Sequence, residues 1–156
     1  MAAELVGRFA FDRPSLPSIA LSVNTSSITA IANDYGLDQV FSCQIEALAR
    51  PGGISTSGDS ANVLCAFSTA KEMDLQTVAL TGKTGGKLKD SADHCICVPS
   101  NETPRIQECH GLISHMLSEL VEQALFKKES RFWLATDHSG DQVSRFKLTV
   151  SLLFLG

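Results

Sequence analysis

Apolar positions recur with two periods along the chain, and the alternation of those periods sets the expected fold. Ile106, Cys109, Ile113, Met116, Leu117, Leu120 and Leu125 stand three and four apart, which predicts a long helix from about Thr103 to Phe126 with a broad apolar face. Val63, Leu64, Phe67 and Ala70 predict a second helix in ANVLCAFSTAKEMD, and Val40, Phe41, Ile45 and Leu48 an amphipathic one stopped by Pro51, Gly52 and Gly53. A further helix over TSSITAIANDY takes Thr25, Ser26 or Ser27 as its cap and ends at Gly36. AAELVGRF reads as the last turns of a helix.

Between these segments lie short apolar runs of strand type: SIALSV at 18–23, LQTVALTG at 75–82 and HCICVP at 94–99. TGGK turns the chain after the second of them. Strands alternating with helices imply an α/β fold, with a parallel sheet covered on both sides. The last thirty or so residues follow neither period; LTVSLLFLG is compatible with an edge strand, a partner-binding segment or an aggregation-prone tail.

Composition narrows the class. A chain of 156 residues is the size of one domain, and a fold of that length buries about 70% of its unfolded surface. With 13 Lys plus Arg against 17 Asp plus Glu, the net charge of −4 and the lack of a basic block argue against nucleic-acid binding through phosphate contacts. The 44% apolar and 19% charged content excludes intrinsic disorder. No run reaches the roughly 20 apolar residues of a membrane helix, and MAAELVGR lacks a secretory core. The expected setting is cytoplasmic, with no membrane partner. Five cysteines, Cys43, Cys65, Cys95, Cys97 and Cys109, are scattered without a zinc-ribbon spacing and read as small buried hydrophobes in a reducing compartment.

The densest polar cluster is Ser55, Thr56, Ser57, Gly58, Asp59 and Ser60, immediately before a predicted helix. Hydroxyls, backbone N–H groups and the positive end of a helix dipole can together surround a phosphate, although the same residues also make an ordinary capped turn. The Asp59 carboxylate should then turn away from the anion. Gln107 and His115, eight residues apart on the long helix, stand about 80° apart around its axis and can reach one cleft. His110, beside the apolar stripe, reads as a hydrogen-bonded core residue.

STSGDSANVL, TVALTGKTGGKL, ADHCICVP and RIQECHGLISHMLSELVE, together with AELVGRF, FDRPSLP and AIANDYG, occur in an order and spacing that resembles the sugar isomerase (SIS) domain of phosphoheptose isomerases, over about residues 1–126. The resemblance implies a three-layer, flavodoxin-like fold with a mainly parallel sheet, and conversion of sedoheptulose 7-phosphate to D-glycero-D-manno-heptose 7-phosphate. It also implies that Ser55, Thr56, Ser57 and Ser60 hold phosphate and that Asn33 and Asp34 contact the sugar. Glu4 and His115 match the acid/base pair, Glu4, Gln107 and His115 match zinc ligands, and Gln107 also matches a substrate contact. Homotetramers with sites completed across subunits are implied as well.

Two departures qualify the match. The chain opens inside the helix that carries AAEL, so a preceding strand, its glycine-rich loop and one histidine ligand are expected to be missing. The apolar strand normally found between the RPG turn and STSG is shortened to a few residues, and residues 127–156 form a divergent tail. Two other readings fit the same residues: a non-catalytic SIS module binding a sugar phosphate or a protein, and an inactive truncated isomerase.

Overall fold

The computed structural model describes residues 1–48, 53–55, 58–127 and 151–152, of which 53–55 and 151–152 are described as backbone alone. The helices are α1 (Ala2–Val6), α2 (Thr25–Tyr35), α3 (Ser42–Leu48), α4 (Ala61–Glu72), α5 (Leu88–Ser91) and α6 (Thr103–Phe126), with a 3-10 turn at Leu37–Gln39. The strands are β1 (Gly53–Ser55), β2 (Thr77–Gly82), β3 (His94–Val98) and β4 (Ser151–Leu152), forming one sheet in the order β3-β2-β1-β4. All three pairings are parallel. The shortened segment before the Ser/Thr cluster thus still makes a strand, and Ser151–Leu152 lies in register beside it.

Alternation of side chains along β2 shows how the layers are placed. Ala79 packs with Val63 and Phe67 of α4 and with Leu88 of α5. On the other face, a Cβ added to Gly82 would run into the Ile106 side chain of α6. The sheet therefore has α4 and α5 on one side and α6 on the other. Outside α4, the core of Leu21, Val40, Phe41, Ile45, Ala66, Ala70 and Leu75 is closed by Ile28, Ile31 and Ala32 of α2. Across the sheet, Leu5 of α1 is fully buried against Leu16 and Val121.

The structure departs from several expectations. Residues 18–23 form no strand: a strand exists only as part of a ladder, and this segment has no place in the sheet order. Val23 is 73% exposed. The cap of α2 is Asn24, whose side chain accepts a hydrogen bond from the Ser27 N–H at 3.1 Å, not one of the three hydroxyl residues that follow. Leu48 faces solvent rather than the core. The five cysteines are unpaired but each is only half-buried; Cys95 and Cys97 stand on β3, at the edge of the described sheet, where Ile96 remains 38% exposed.

The largest correction concerns α6. Its bounds agree with the apolar period, yet Leu112, Met116, Leu120 and Leu125 are exposed, and the residues it buries are Ser114, Ser118 and Glu122. A polar face can be buried when its groups are paired. The Ser118 hydroxyl donates to the Ser114 carbonyl at 2.9 Å, and Glu122 is held by the segment that follows α1. His110, one turn before Ser114, contacts the Thr81 carbonyl through Nε2 at 3.1 Å, in keeping with a core role.

Candidate functional site

In a parallel sheet the loops at the carboxyl ends of the strands are the natural place for ligands. Here β1 leads into the Ser/Thr cluster, β2 into the Lys83–Lys87 turn and β3 into the approach to α6. The first two are coupled. The Gly58 carbonyl accepts a hydrogen bond from the Leu88 N–H at 3.1 Å, and the Asp59 carboxylate accepts one from the Lys87 N–H at 3.0 Å. Asp59 is thus occupied in fastening the cluster to the neighbouring turn. Ser60 occupies the N-cap position of α4. Thr56 and Ser57 lie outside the described residues, as does the side chain of Ser55.

The coupling depends on a glycine. Gly86 has φ +58, and an added Cβ would lie 2.5 Å from the Gly58 carbonyl oxygen and 2.7 Å from the Asp59 carboxylate. The left-handed conformation alone costs an L-residue about 1–2 kcal/mol. Gly86→Ala should therefore lower the melting temperature and weaken phosphosugar binding. Gly111→Ala is the control: it sits in α6 with nothing within 4 Å of the added carbon, where alanine favours the helix by about 1 kcal/mol. Thermal melts and titration calorimetry on the two variants would check this.

A second group of candidate residues lies across the sheet. Glu4 is half-buried in α1 and His115 is exposed on α6, and α1 packs on α6 through Leu5 and Val121. The Phe9 ring lies 5.7 Å from the His115 ring, centroid to centroid, with the planes at 45°. Between Phe9 and Glu4 runs a buried ion pair that sequence reasoning missed. Arg13 Nε donates to Glu122 Oε1 at 2.8 Å, with side-chain exposures of 1% and 0%. Arg13 also donates to the Leu5 carbonyl at 2.7 Å and the Glu4 carbonyl at 2.6 Å. Glu122 accepts from the Phe9 and Ala10 N–H groups at 3.1 and 2.8 Å.

Burial by itself would raise the Glu122 carboxyl, but the Ala10 and Phe9 N–H groups and the Arg13 guanidinium outweigh it and hold it below the usual glutamate range. The missed signal was the i, i+4 polar row His110, Ser114, Ser118 and Glu122, which an apolar-face reading of α6 set aside.

The structure brings Glu4 and His115 onto contacting helices. It does not gather the remaining candidates with them in one chain. Asn33 and Asp34 are exposed on the last turn of α2, in the helix layer on the α4 side of the sheet. Gln107 is exposed on α6, two turns before His115. As zinc ligands, Glu4 and His115 supply one carboxylate and one imidazole, while Gln107 adds only an amide and stands about 12 Å from His115 along the helix axis. Among the described residues no group of three or more His, Cys, Asp or Glu side chains could hold a metal. A catalytic zinc needs about three strong protein ligands beside its water; the residues described here do not meet that requirement within one chain.

A parallel sheet with helices on both faces defines an α/β fold, and comparison gives that fold a family. Residues 1–82 match the SIS domain family, and the chain belongs to it. Its relatives include the phosphoheptose isomerase of Sulfurimonas denitrificans, 52% identical over 130 residues that make up 81% of this chain and 67% of the relative. That of Nitratiruptor sp. is 55% identical over 128 residues, 80% of this chain and 68% of the relative. Among solved structures, a phosphoheptose isomerase from Francisella tularensis superposes with a TM-score of 0.73 at 39% identity, covering 78% of this chain and 68% of that one. One from Neisseria gonorrhoeae gives 0.62 at 46% identity, covering 66% and 61%.

Proposed function

We propose that this chain is a phosphosugar aldose–ketose isomerase that converts sedoheptulose 7-phosphate to D-glycero-D-manno-heptose 7-phosphate. The observation that carries the reading is the packing of α1 on α6, which sets a carboxylate and an imidazole on adjoining helices, in a chain about half identical to phosphoheptose isomerases.

Isomerisation moves a proton from C1 of the ketose to C2, through an enediol. In this reading Glu4 takes the C1 proton as the C1–H electron pair forms the C1–C2 double bond, and His115 gives a proton to the carbonyl oxygen on C2. The second half reverses the roles: His115 takes the proton from the C1 hydroxyl, the C1 aldehyde forms, and Glu4 returns its proton to C2. Atoms balance without a redox partner. Ser55, Thr56, Ser57 and Ser60 would hold the distant phosphate, whose binding energy positions the reacting carbons. Asn33, Asp34 and Gln107 would contact the sugar hydroxyls.

Asn33 and Asp34 sit across the sheet from Glu4 and His115, so a complete site calls for a second copy of the chain, and we read the protein as a homo-oligomer of tetrameric type. Leu112, Met116 and Leu120, exposed at four-residue spacing beside His115, support that reading. Zinc is proposed only at such a shared site, with Glu4, Gln107 and His115 contributing to it. Among the described residues no helix is long and apolar enough to cross a membrane, and the free cysteines support a cytoplasmic setting.

The test is incubation of the purified chain with sedoheptulose 7-phosphate, with and without zinc. Turnover is the expected result; phosphosugar binding without turnover would instead support a non-catalytic SIS module. Ser57→Ala should raise the Kd for phosphosugar by about tenfold, the effect of losing one charge-assisted hydrogen bond of about 1.5 kcal/mol. Ser22→Ala, at an exposed turn, should not. Equal effects of the two on calorimetric Kd would remove the phosphate-loop assignment.

A further inference from the structure

The buried Arg13–Glu122 pair bonds to the main chain of Glu4 and is linked to His115 through Phe9. Through its guanidinium, Arg13 holds the main-chain carbonyls of Glu4 and Leu5, which are carbonyls at the end of α1 that the helix itself leaves unsatisfied. Through its carboxylate, Glu122 holds the N–H groups of Phe9 and Ala10, and the Phe9 ring rests against the ring of His115. Arg13 is also anchored from a third side, with its guanidinium carbon 5.7 Å from the centre of the Phe126 ring.

We propose that Arg13 and Glu122 are positioning residues for catalysis, fixing the register of α1 on α6 so that the Glu4 carboxylate and the His115 imidazole meet the same substrate. This rests on the isomerase reading above. A five-residue helix has little stability of its own, so α1 takes its orientation from what holds its end. The planar fork of arginine fits that task, because it can bind two carbonyls and a carboxylate at once. A lysine could keep the charge but not all of these bonds.

A merely structural ion pair makes a different forecast from a positioning one. Replacing a buried pair by apolar residues of similar volume is often neutral or stabilising. The double variant Arg13→Met with Glu122→Leu leaves no lone buried charge and should therefore lose less stability than Glu122→Ala, yet it has no bonds to Glu4, Leu5, Phe9 or Ala10. The experiment compares the full-length wild type, Arg13→Lys and the double variant in steady-state kinetics with sedoheptulose 7-phosphate, together with the ring carbon–proton NMR signal of His115.

We expect kcat to fall about 10- to 100-fold in both variants, with KM within about threefold, since small displacements of a reacting group act on the chemical step. The His115 signal should shift in the double variant as Phe9 moves. Folded variants with wild-type kcat and an unmoved His115 signal would overturn the proposal. Should the double variant fail to fold, the same two readouts on Arg13→Lys decide. A wild-type chain with no turnover, but with a His115 signal that responds to the substitutions, would overturn the isomerase reading and leave the positioning role supported.

Discussion

His115→Ala is expected to lower kcat for sedoheptulose 7-phosphate by about 10²- to 10⁴-fold, the usual contribution of a general acid or base, while the fold survives. The side chain is exposed on α6 and, among the described residues, its ring contact is with Phe9. Exposed substitutions away from such contacts change stability by about 0.5 kcal/mol or less, and loss of the aromatic contact adds about 1 kcal/mol at most. Alanine offsets part of this by its helix preference. Circular dichroism and a thermal melt on the variant should therefore be close to wild type when turnover is lost. A variant with near-normal kcat would remove His115 from the mechanism.

Glu122→Ala is expected to have the largest effect on stability, about 3–5 kcal/mol, because it leaves Arg13 buried without its partner charge and strips the Phe9 and Ala10 N–H groups of their acceptor. The same carboxylate makes stability depend on pH. Its value is lowered in the folded chain from an ordinary 4.5, so it stabilises fully above about pH 4.5, and the contribution is lost as the pH falls through the lowered value. Asp93 adds to the acid limb in the same sense, since the hydroxyl and N–H of Thr77 donate to it and lower it. Urea melts between pH 3 and 7 should show a steeper acid decline in the wild type than in the Arg13→Met, Glu122→Leu double variant. Parallel curves would mean that Glu122 is not the group responsible.

Local signals were legible in the sequence and long-range ones were not. The period of α6 gave Thr103 and Phe126 as its ends, the β-branched and cysteine-rich runs gave β2 and β3, and TGGK marked the turn that fastens Gly58 and Asp59. These depend on a few consecutive residues. The strand at 18–23 was misread because Ser18–Val23 has strand composition, whereas strand formation requires a neighbour that composition does not supply. The inward face of α6 was misread for a related reason: Glu122 is buried only because Arg13 reaches it across 109 positions of chain. No local period encodes that pairing. At the site, Glu4 and His115 were named from motif resemblance, and the structure adds the physical link between them through Leu5, Phe9 and the buried pair. Of the apolar residues that the period assigned to the core face of α6, Met116, Leu120 and Leu125 are exposed, while Ile106, Cys109, Ile113 and Leu117 are half-buried.

The most direct measurement of proton transfer by Glu4 and His115 is conversion of sedoheptulose 7-phosphate in heavy water, followed by NMR of the product at C2. The half-buried Glu4 carboxyl exchanges the proton it has taken with solvent during the life of the enediol, so the account predicts deuterium at C2 with the wild-type chain and none above background with Glu4→Gln or His115→Ala. Product formed with C2 still carrying only protium, or deuterium incorporation that both substitutions leave intact, would contradict it.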